Sequence, residues 1–443
     1  MKLVIEEGRF FQKYAVVNKK ELIYLEIIEK DESIKLDDIF YGEVQNVVKG
    51  LNAAFINIGV GVGFLPLKEE KLLKGQKILV QVAKEGNELK KAKLSTDITI
   101  KGNYVVLLPN ENEIKIPKKI NSEDSLELLD KITQTHKGTG MILRTKAFEA
   151  TFEAVSKEIS ELSQKYSQMA GQTQIGLAFS QDDSDLRIEE LIYKYNVKEV
   201  VTNNQTYYKT NKIKYFKKNV ELKMVENFCF NHNGINLEKL IQNYFKFDGF
   251  NLSIEKTEAM TVVDVDSGYI DNNKLNEAQI YEINKSAISK TLEIIKLMNM
   301  GGIIIIDLIN TSLETRTKLN DHVSSSIKNH GKAIKASKIT KNNLLEIIRQ
   351  KTSISIVEKL TQKCETCNGS GRTNSNAFIL DDFEIQLKSI LSNQLKKSYS
   401  VFIPENRYEH LIDVLKEIAK EHDCELVYLK SNDILNNIKI IQN

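Results

Sequence analysis

The sequence predicts an α/β chain (α+β multidomain), and three observations carry that prediction. At 443 residues the chain has room for roughly two to four domains of ~150 residues, each able to bury its own core. Short strand patterns fill the first hundred residues, and strand and helix patterns alternate after them. Composition is that of a globular protein, 41% hydrophobic and 28% charged, which excludes a disordered chain. The 62 Lys+Arg against 60 Asp+Glu leave +2, so a polyanionic partner must be held by locally sorted charge, and a histone-like or basic-tail protein is excluded. No apolar run approaches the ~18 to 20 residues of a membrane helix, and Met1–Glu7 is not built like a secretory signal. Four cysteines are too few for a disulfide framework, so a reducing cytoplasm is expected.

Residues 3–29 alternate in short bursts around Asn18-Lys19-Lys20, which predicts a β-meander. From Ile39 to Val82, four or five short strands separated by glycines suggest a small Greek-key barrel of the OB type. Strands follow at Tyr104–Leu108 and Met141–Arg144, then an amphipathic helix over Thr151–Met169 with Phe152, Val155, Ile159 and Leu162 in helical spacing. A second α/β unit opens at Phe250. It reads as a strand Met260–Val265, a helix Asn276–Met300, and a strand Ile303–Asp307 apolar on both faces, as in the middle of a parallel sheet. A helix at Thr315–His330 follows. The tail reads as a small α/β domain, with helices Phe378–Leu395 and His410–Glu421 and strands Ser400–Ile403 and Glu425–Leu429.

Three groups of residues point to chemistry. Asp264 and Asp266 share one face by the two-residue strand period, and Asp307 ends the next strand. A right-handed crossover through the intervening helix makes those strands parallel, bringing Asp264 and Asp307 within reach of one hard divalent ion; strand-end caps or partners of Lys are the plain alternative. Cys364-Glu-Thr-Cys367-Asn-Gly-Ser-Gly371 is a tight thiolate knuckle with half the ligands of a structural zinc. His residues, a second subunit in a symmetric dimer, or no metal at all are the choices it leaves. Phe55 and Phe64 with Lys90, Lys91 and Lys93 give an aromatic and basic mixture suited to single-stranded nucleic acid. Each Phe alone reads equally as core. Arg144-Thr145 is a weaker phosphate clamp, and Lys209–Lys218, with Tyr215 and Phe216 interleaved, is a basic run or a solvated face.

Together these segments resemble the ribonuclease E/G family of endoribonucleases, from near the N-terminus through about residue 375. The most specific stretches are Ala53-Ala54-Phe55 with Gly63-Phe64-Leu65-Pro66, Thr257–Asp266, Gly301–Asp307 and Cys364–Gly371. The resemblance implies Mg²⁺-dependent cleavage of single-stranded, A/U-rich RNA to 5′-phosphate and 3′-hydroxyl ends, in rRNA and tRNA processing and mRNA decay. It assigns Asp264 and Asp307 as metal-binding catalytic residues and Asp266 to the place of an assisting Asn. Phe55, Phe64 and Lys90 become RNA contacts, with Lys91 in place of a Gly. Arg144 and Thr145, with the supporting loop residues Gly102 and Val106, become a 5′-monophosphate sensor, where Lys118-Lys119 stand for an Arg pair. Cys364 and Cys367 become the zinc link shared between two protomers, with Glu365 in place of Pro. Asn310 stands for an Asp and Met298 for an Arg.

The implied architecture is a ribonuclease-H-like domain (1–38 and 186–248) around an inserted OB-fold RNA-binding domain (39–96) and a 5′-sensor region (97–185). A deoxyribonuclease-like catalytic domain (249–362), a zinc link (363–373) and a small C-terminal domain (374–443) follow. Zinc-linked homodimers, often paired into tetramers, are expected. So are a short ribonuclease-G-like type without a scaffold tail, and the cytoplasm of a bacterium or an organelle of bacterial descent. The rival reading is a non-catalytic RNA-binding assembly factor.

Overall fold

Strands Lys2–Glu7, Phe11–Asn18 and Glu21–Glu29 form the expected antiparallel meander. The computed structural model describes the chain apart from residues 20, 31–32, 69–70, 87–89, 118–122, 218, 227–228, 269–274, 331–333, 351–352, 368, 370, 393–398, 432–436 and 443. Lys118, Lys119 and Lys218 therefore lie outside the described residues, as does the end expected for the helix at Phe378–Leu395. The chain divides into two compact units, Met1–Leu360 and Thr361–Asn443.

In the first unit the meander is completed by chain from far downstream: Glu199–Thr202 pairs parallel to Lys2–Glu7, and Glu221–Met224 parallel to Glu199–Thr202. Alternation along these strands fills two cores. Leu3, Ile5, Tyr14 and Val16 pack with Ile188, Leu191 and Tyr215, while Val4, Ala15 and Val17 join a core that includes Val263, Leu292 and Ile306. A meander covered on both faces has few exposed positions, which is why its sequence reads as apolar bursts rather than strict alternation.

Strands Ile39–Val48, Ala53–Asn57, Val62–Pro66, Lys93–Ser95 and Lys77–Lys84 close into a five-stranded barrel, because the last of them pairs back onto the first. Phe40, Val44, Ala54, Ile56, Leu65, Val80, Val82 and Leu94 fill it. The closure is tight: a Cβ on Gly63 would lie 2.4 Å from Leu94 Cδ1, so any larger residue there must displace the Leu94 side chain. Gly176–Phe179 adds to the outside of Ile39–Val48. A four-stranded sheet of Ile100–Lys101, Val105–Leu107, Ile114–Lys115 and Met141–Leu143 is covered by the helix Phe152–Ala170, which presents Val155, Ile159 and Leu162. Thr151 caps that helix by accepting from Ala154 N.

The remaining sheet of this unit runs in the order Tyr244–Phe247, Phe250–Lys256, Met260–Asp266, Gly302–Asp307, Leu344–Arg349, Ile334–Ala336. Met260–Asp266 and Gly302–Asp307 are parallel neighbours joined through the helix Glu277–Leu297, as the crossover argument requires. The expectation of a strand buried on both faces fails. Leu344–Arg349 pairs antiparallel to Gly302–Asp307, so the sheet is mixed. Ile304 and Ile306 are buried, but Ile303 is 40% exposed together with Met260 and Ile348. One face is thus filled by core while the other stays exposed, and an unbroken Ile run does not by itself distinguish the two cases.

The second unit is a sheet in the order Leu426–Ser431, Tyr399–Pro404, Lys439–Gln442 with helices Asn376–Ser392 and Tyr408–Glu421. Ile379, Phe383, Leu387, Val401, Leu411 and Leu415 form its core. The antiparallel third strand is new, four residues too short to show a period.

Candidate functional site

Along Met260–Asp266 the period of two buries Thr261, Val263 and Val265 and turns Met260, Val262, Asp264 and Asp266 to the exposed face. On the neighbouring strand Ile304 and Ile306 are buried and Asp307 is exposed. The two strands are in register with Asp264 opposite Asp307, so the two backbones are about 5 Å apart at the carboxylates. Burial first, then the negative charges of Asp307 and Asp266, push the Asp264 carboxyl above the ordinary carboxylate range. A cation held between the two carboxylates would offset that repulsion. Asp266 is further along the same edge, where it accepts from Asn251 Nδ2 (3.3 Å) and from the amide of Gly268 (3.2 Å) in the turn that ends the strand.

The segment after Asp307 is pinned by side chains that sequence reasoning did not single out. Asn284, fully buried on the crossover helix, donates to Ile309 O (2.9 Å) and accepts from Ile309 N (3.0 Å). A polar residue at an inward helical position was the available signal. Asn343, in a left-handed turn (φ 61°), donates to Asn310 Oδ1 (2.8 Å), and its own buried Oδ1 has no protein partner among the described residues. Glu277, in the first turn of the crossover helix, accepts from Thr315 Oγ1 (2.7 Å) and Thr311 Oγ1 (3.1 Å). Two carboxylates in register on one exposed sheet face fit a hard ion that takes one or two carboxylates and completes its shell with water and substrate oxygen. Among the described residues no three His, Cys, Asp or Glu side chains form a metal-holding group.

On the barrel, Phe55 and Phe64 are cross-strand partners, with ring centroids 5.9 Å apart edge to face. Both rings are half-buried on the outer surface. Lys91 Nζ is 6.0 Å from the Phe55 ring centroid, and Lys93 pairs with Phe64. Lys90 is exposed in an isolated bridge just before them. The structure therefore gathers the expected aromatic pair with Lys91 and Lys93 on one patch, with Lys91 over the Phe55 ring. In the basic helix Gln205–Lys217, Tyr215 is buried, its hydroxyl bonded to Tyr207, while Phe216 is 82% exposed.

The expected sensor residues also come together. Gly102 opens a loop whose next three amides, of Asn103, Tyr104 and Val105, all donate to the Glu158 carboxylate at 3.0, 2.7 and 2.9 Å. Val106 follows in the strand Val105–Leu107. Arg144 N donates to Tyr104 O (2.8 Å), placing Arg144 and the exposed Thr145 beside this loop. The Arg144 guanidinium is ion-paired with Glu190.

In the second unit Cys364 is exposed and Cys367 half-buried, both free thiols. Backbone amides of Cys367 and Thr366 hold the Cys364 thiol below its ordinary range, and Gly371 N donates to Cys367 Sγ (3.3 Å). Amides aimed at sulfur fit thiolates bound to a metal, and the pair supplies two of the four ligands a zinc needs. Of the other two cysteines, Cys229 is buried and Cys424 half-buried.

A cavity of about 520 Å³ borders Glu190 and Arg349 but none of the three aspartates. The carboxylates are on an open sheet face, which suits a polymer more than a small molecule enclosed in a pocket.

The sequence matches the profile of the Ribonuclease E/G family over residues 99–352, more than half the chain. This chain belongs to the ribonuclease E/G family. The matched stretch contains the aspartate pair, Asn284 and the Arg144 region, and it ends before the two cysteines. The ribonuclease E/G chain is 26% identical to ribonuclease E of Nostoc sp. over 388 residues, covering 76% of this chain and 54% of that protein. It is 24% identical to ribonuclease E of Haemophilus influenzae over 459 aligned positions, covering 94% and 49%. With ribonuclease G of Salmonella typhimurium it shares 25% over 380 residues, 75% of this chain and 76% of that one. The chain thus spans about half the length of the two ribonuclease E relatives. No described helix is long and apolar enough to cross a membrane.

Proposed function

We infer that this chain is an endoribonuclease, a hydrolase that cuts phosphodiester bonds within single-stranded RNA. The observation that carries the reading is the register pairing of Asp264 with Asp307 on an exposed sheet face, in a chain that belongs to a ribonuclease family. Asp264 and Asp307 would hold Mg²⁺, which when bound polarises the scissile phosphate and lowers the pKa of a water. Asn284 fixes the backbone immediately beyond Asp307 through both bonds to Ile309, so the second carboxylate meets the first at a set spacing. Asp266, tethered by Asn251 and Gly268, adds negative charge beside the pair and would orient water or a substrate hydroxyl. Bases stack on Phe55 and Phe64 while Lys90, Lys91 and Lys93 hold the backbone phosphates.

In this reading the meander with its downstream strands (1–38 and 186–248) is the ribonuclease-H-like domain. The barrel (39–96) is the OB-fold RNA-binding domain, 97–185 the 5′-sensor region and 249–362 the deoxyribonuclease-like domain. The link at 363–373 gives Cys364 and Cys367 to a Zn²⁺ completed by the same two residues of a second protomer, making a dimer that pairs into a tetramer; 374–443 is the small C-terminal domain. The protein would process rRNA and tRNA precursors and begin mRNA decay in the cytoplasm.

The test is cleavage of a short A/U-rich single-stranded RNA with and without Mg²⁺, using Asp264→Asn and Asp307→Asn. Loss of cutting in both variants with RNA binding retained is expected. Near-normal cutting by either refutes the assignment, and binding without cutting by the unaltered chain favours the assembly-factor reading.

A further inference from the structure

Of the residues that the 5′-sensor reading assigns, Arg144 and the supporting loop that Gly102 opens are each already engaged by a carboxylate of the chain itself. The Gly102–Val105 loop carries Glu158, and Arg144 carries Glu190. The two are not equivalent. Glu158 accepts three successive backbone amides at 2.7–3.0 Å and lies so close to Gly102 that a Cβ there would be 2.3 Å from its Oε1. That carboxylate is a fixed part of the loop. Glu190 meets Arg144 through a single nitrogen, and the two side chains retain 26% and 39% exposure, so water and a competing anion reach the pair.

Neighbouring contacts keep Glu190 in place opposite Arg144. Lys146 Nζ donates to Glu189 O (3.3 Å) and lies 5.2 Å from the Tyr193 ring centroid. The Tyr193 hydroxyl donates to Glu149 Oε1 (2.5 Å). The segment Thr145–Glu149 is in this way stitched along the helix Ser184–Lys194.

We propose that Glu190 is a specificity-determining residue, a built-in competitor whose carboxylate the 5′-monophosphate of RNA must displace from Arg144. This rests on the reading of Arg144 as a 5′-phosphate contact. A terminal phosphate carries about −1.5 to −2 charge and three acceptor oxygens, so it can engage the guanidinium fork bidentately where Glu190 uses one nitrogen. A 5′-hydroxyl carries no charge and leaves the pair closed. Glu190 therefore holds down the gain from a 5′-phosphate without affecting entry of the RNA elsewhere.

The experiment measures kcat/KM for one A/U-rich RNA bearing either a 5′-monophosphate or a 5′-hydroxyl, together with the affinity of both RNAs in Ca²⁺. The unaltered chain is compared with Glu190→Gln, Glu190→Ala, Arg144→Gln and the Glu190→Gln/Arg144→Gln double variant. The ratio of the two RNAs within each protein cancels differences in folded fraction. Removing a half-exposed competing ion pair is expected to raise the monophosphate preference about two- to five-fold in both Glu190 variants, with the ratio falling to one when Arg144 is lost in either background. A preference that disappears in Arg144→Gln but is unchanged in both Glu190 variants overturns the role of Glu190 and leaves the 5′-phosphate reading standing. A ratio of one in the unaltered chain and in all variants overturns both.

Discussion

Replacing Asp264 by Asn should stabilise the metal-free protein while removing its metal response. Asp264 and Asp307 are opposite each other on adjacent strands, so their charges are about 5 Å apart. Coulomb's law gives a repulsion of about 1 kcal/mol in water and about 3 kcal/mol at an effective dielectric of 20; both side chains face solvent, and the lower figure applies. For a unit of this size, about 1 kcal/mol corresponds to a rise of roughly 2 °C in Tm. The pH dependence follows from the raised Asp264 carboxyl. The folded state binds the proton more readily than the unfolded chain, so stability is lost as pH rises through the window above the ordinary carboxylate value. The advantage of Asp264→Asn should accordingly be full at pH 7 and shrink on acidification, as protonation does in the parent what the amide does in the variant. In Mg²⁺ the order reverses, since a ligand at 100 times its Kd adds about 2.7 kcal/mol to the form that binds it. Thermal unfolding of parent and variant at pH 7 and pH 5, with chelator or with Mg²⁺, measures all of this. A variant less stable than the parent in chelator at pH 7, or equal Mg²⁺ stabilisation of both, would refute the reasoning.

Truncating either half-buried ring, Phe55→Ala or Phe64→Ala, should weaken single-stranded RNA binding by about 1 to 3 kcal/mol, the stacking of roughly one base; fluorescence anisotropy of a labelled oligonucleotide reads it, and unchanged affinity in both removes the platform. Asn284→Ala leaves the amide and carbonyl of Ile309 unsatisfied in the core. Its cost is about 2 to 4 kcal/mol, and kcat should fall while RNA affinity holds. Changing Cys364 and Cys367 to Ser should take bound zinc from about one ion per two chains to none and halve the mass seen by light scattering; a mass equal to that of the unaltered chain refutes a zinc-dependent interface.

The legible parts of this chain were those governed by short-range rules. Glycines between short strands from Tyr41 to Val82 announced the barrel, and Gly63 shows the reason, because closure brings Leu94 into the space of a side chain. The crossover between Met260–Asp266 and Gly302–Asp307 followed from helix length and apolar strand text, while the register that sets Asp264 opposite Asp307 came from the structure. What stayed hidden needed partners distant in sequence. Ile303–Ile306 gave no sign that one face would remain open, and the lysine-rich stretch 209–218 gave no sign that Tyr215 would turn inward and Phe216 outward. Arg144 and Glu190 are 46 residues apart, and no local pattern connects them.

By itself the sequence determined the kinds of element, the barrel, the residue types of a hard-metal site and a thiolate knuckle, because helix and strand periods and glycine geometry act over a few residues. Only the tertiary structure decided which sheet face stays open around Asp264 and Asp307, that Asn284 and Asn343 secure the adjoining turns, and that carboxylates of the chain already hold Arg144 and the loop beside it. Those outcomes depend on which distant segments pack together and which charges are thereby brought into contact, and a buried amide or a competing carboxylate acquires its role only from what it touches.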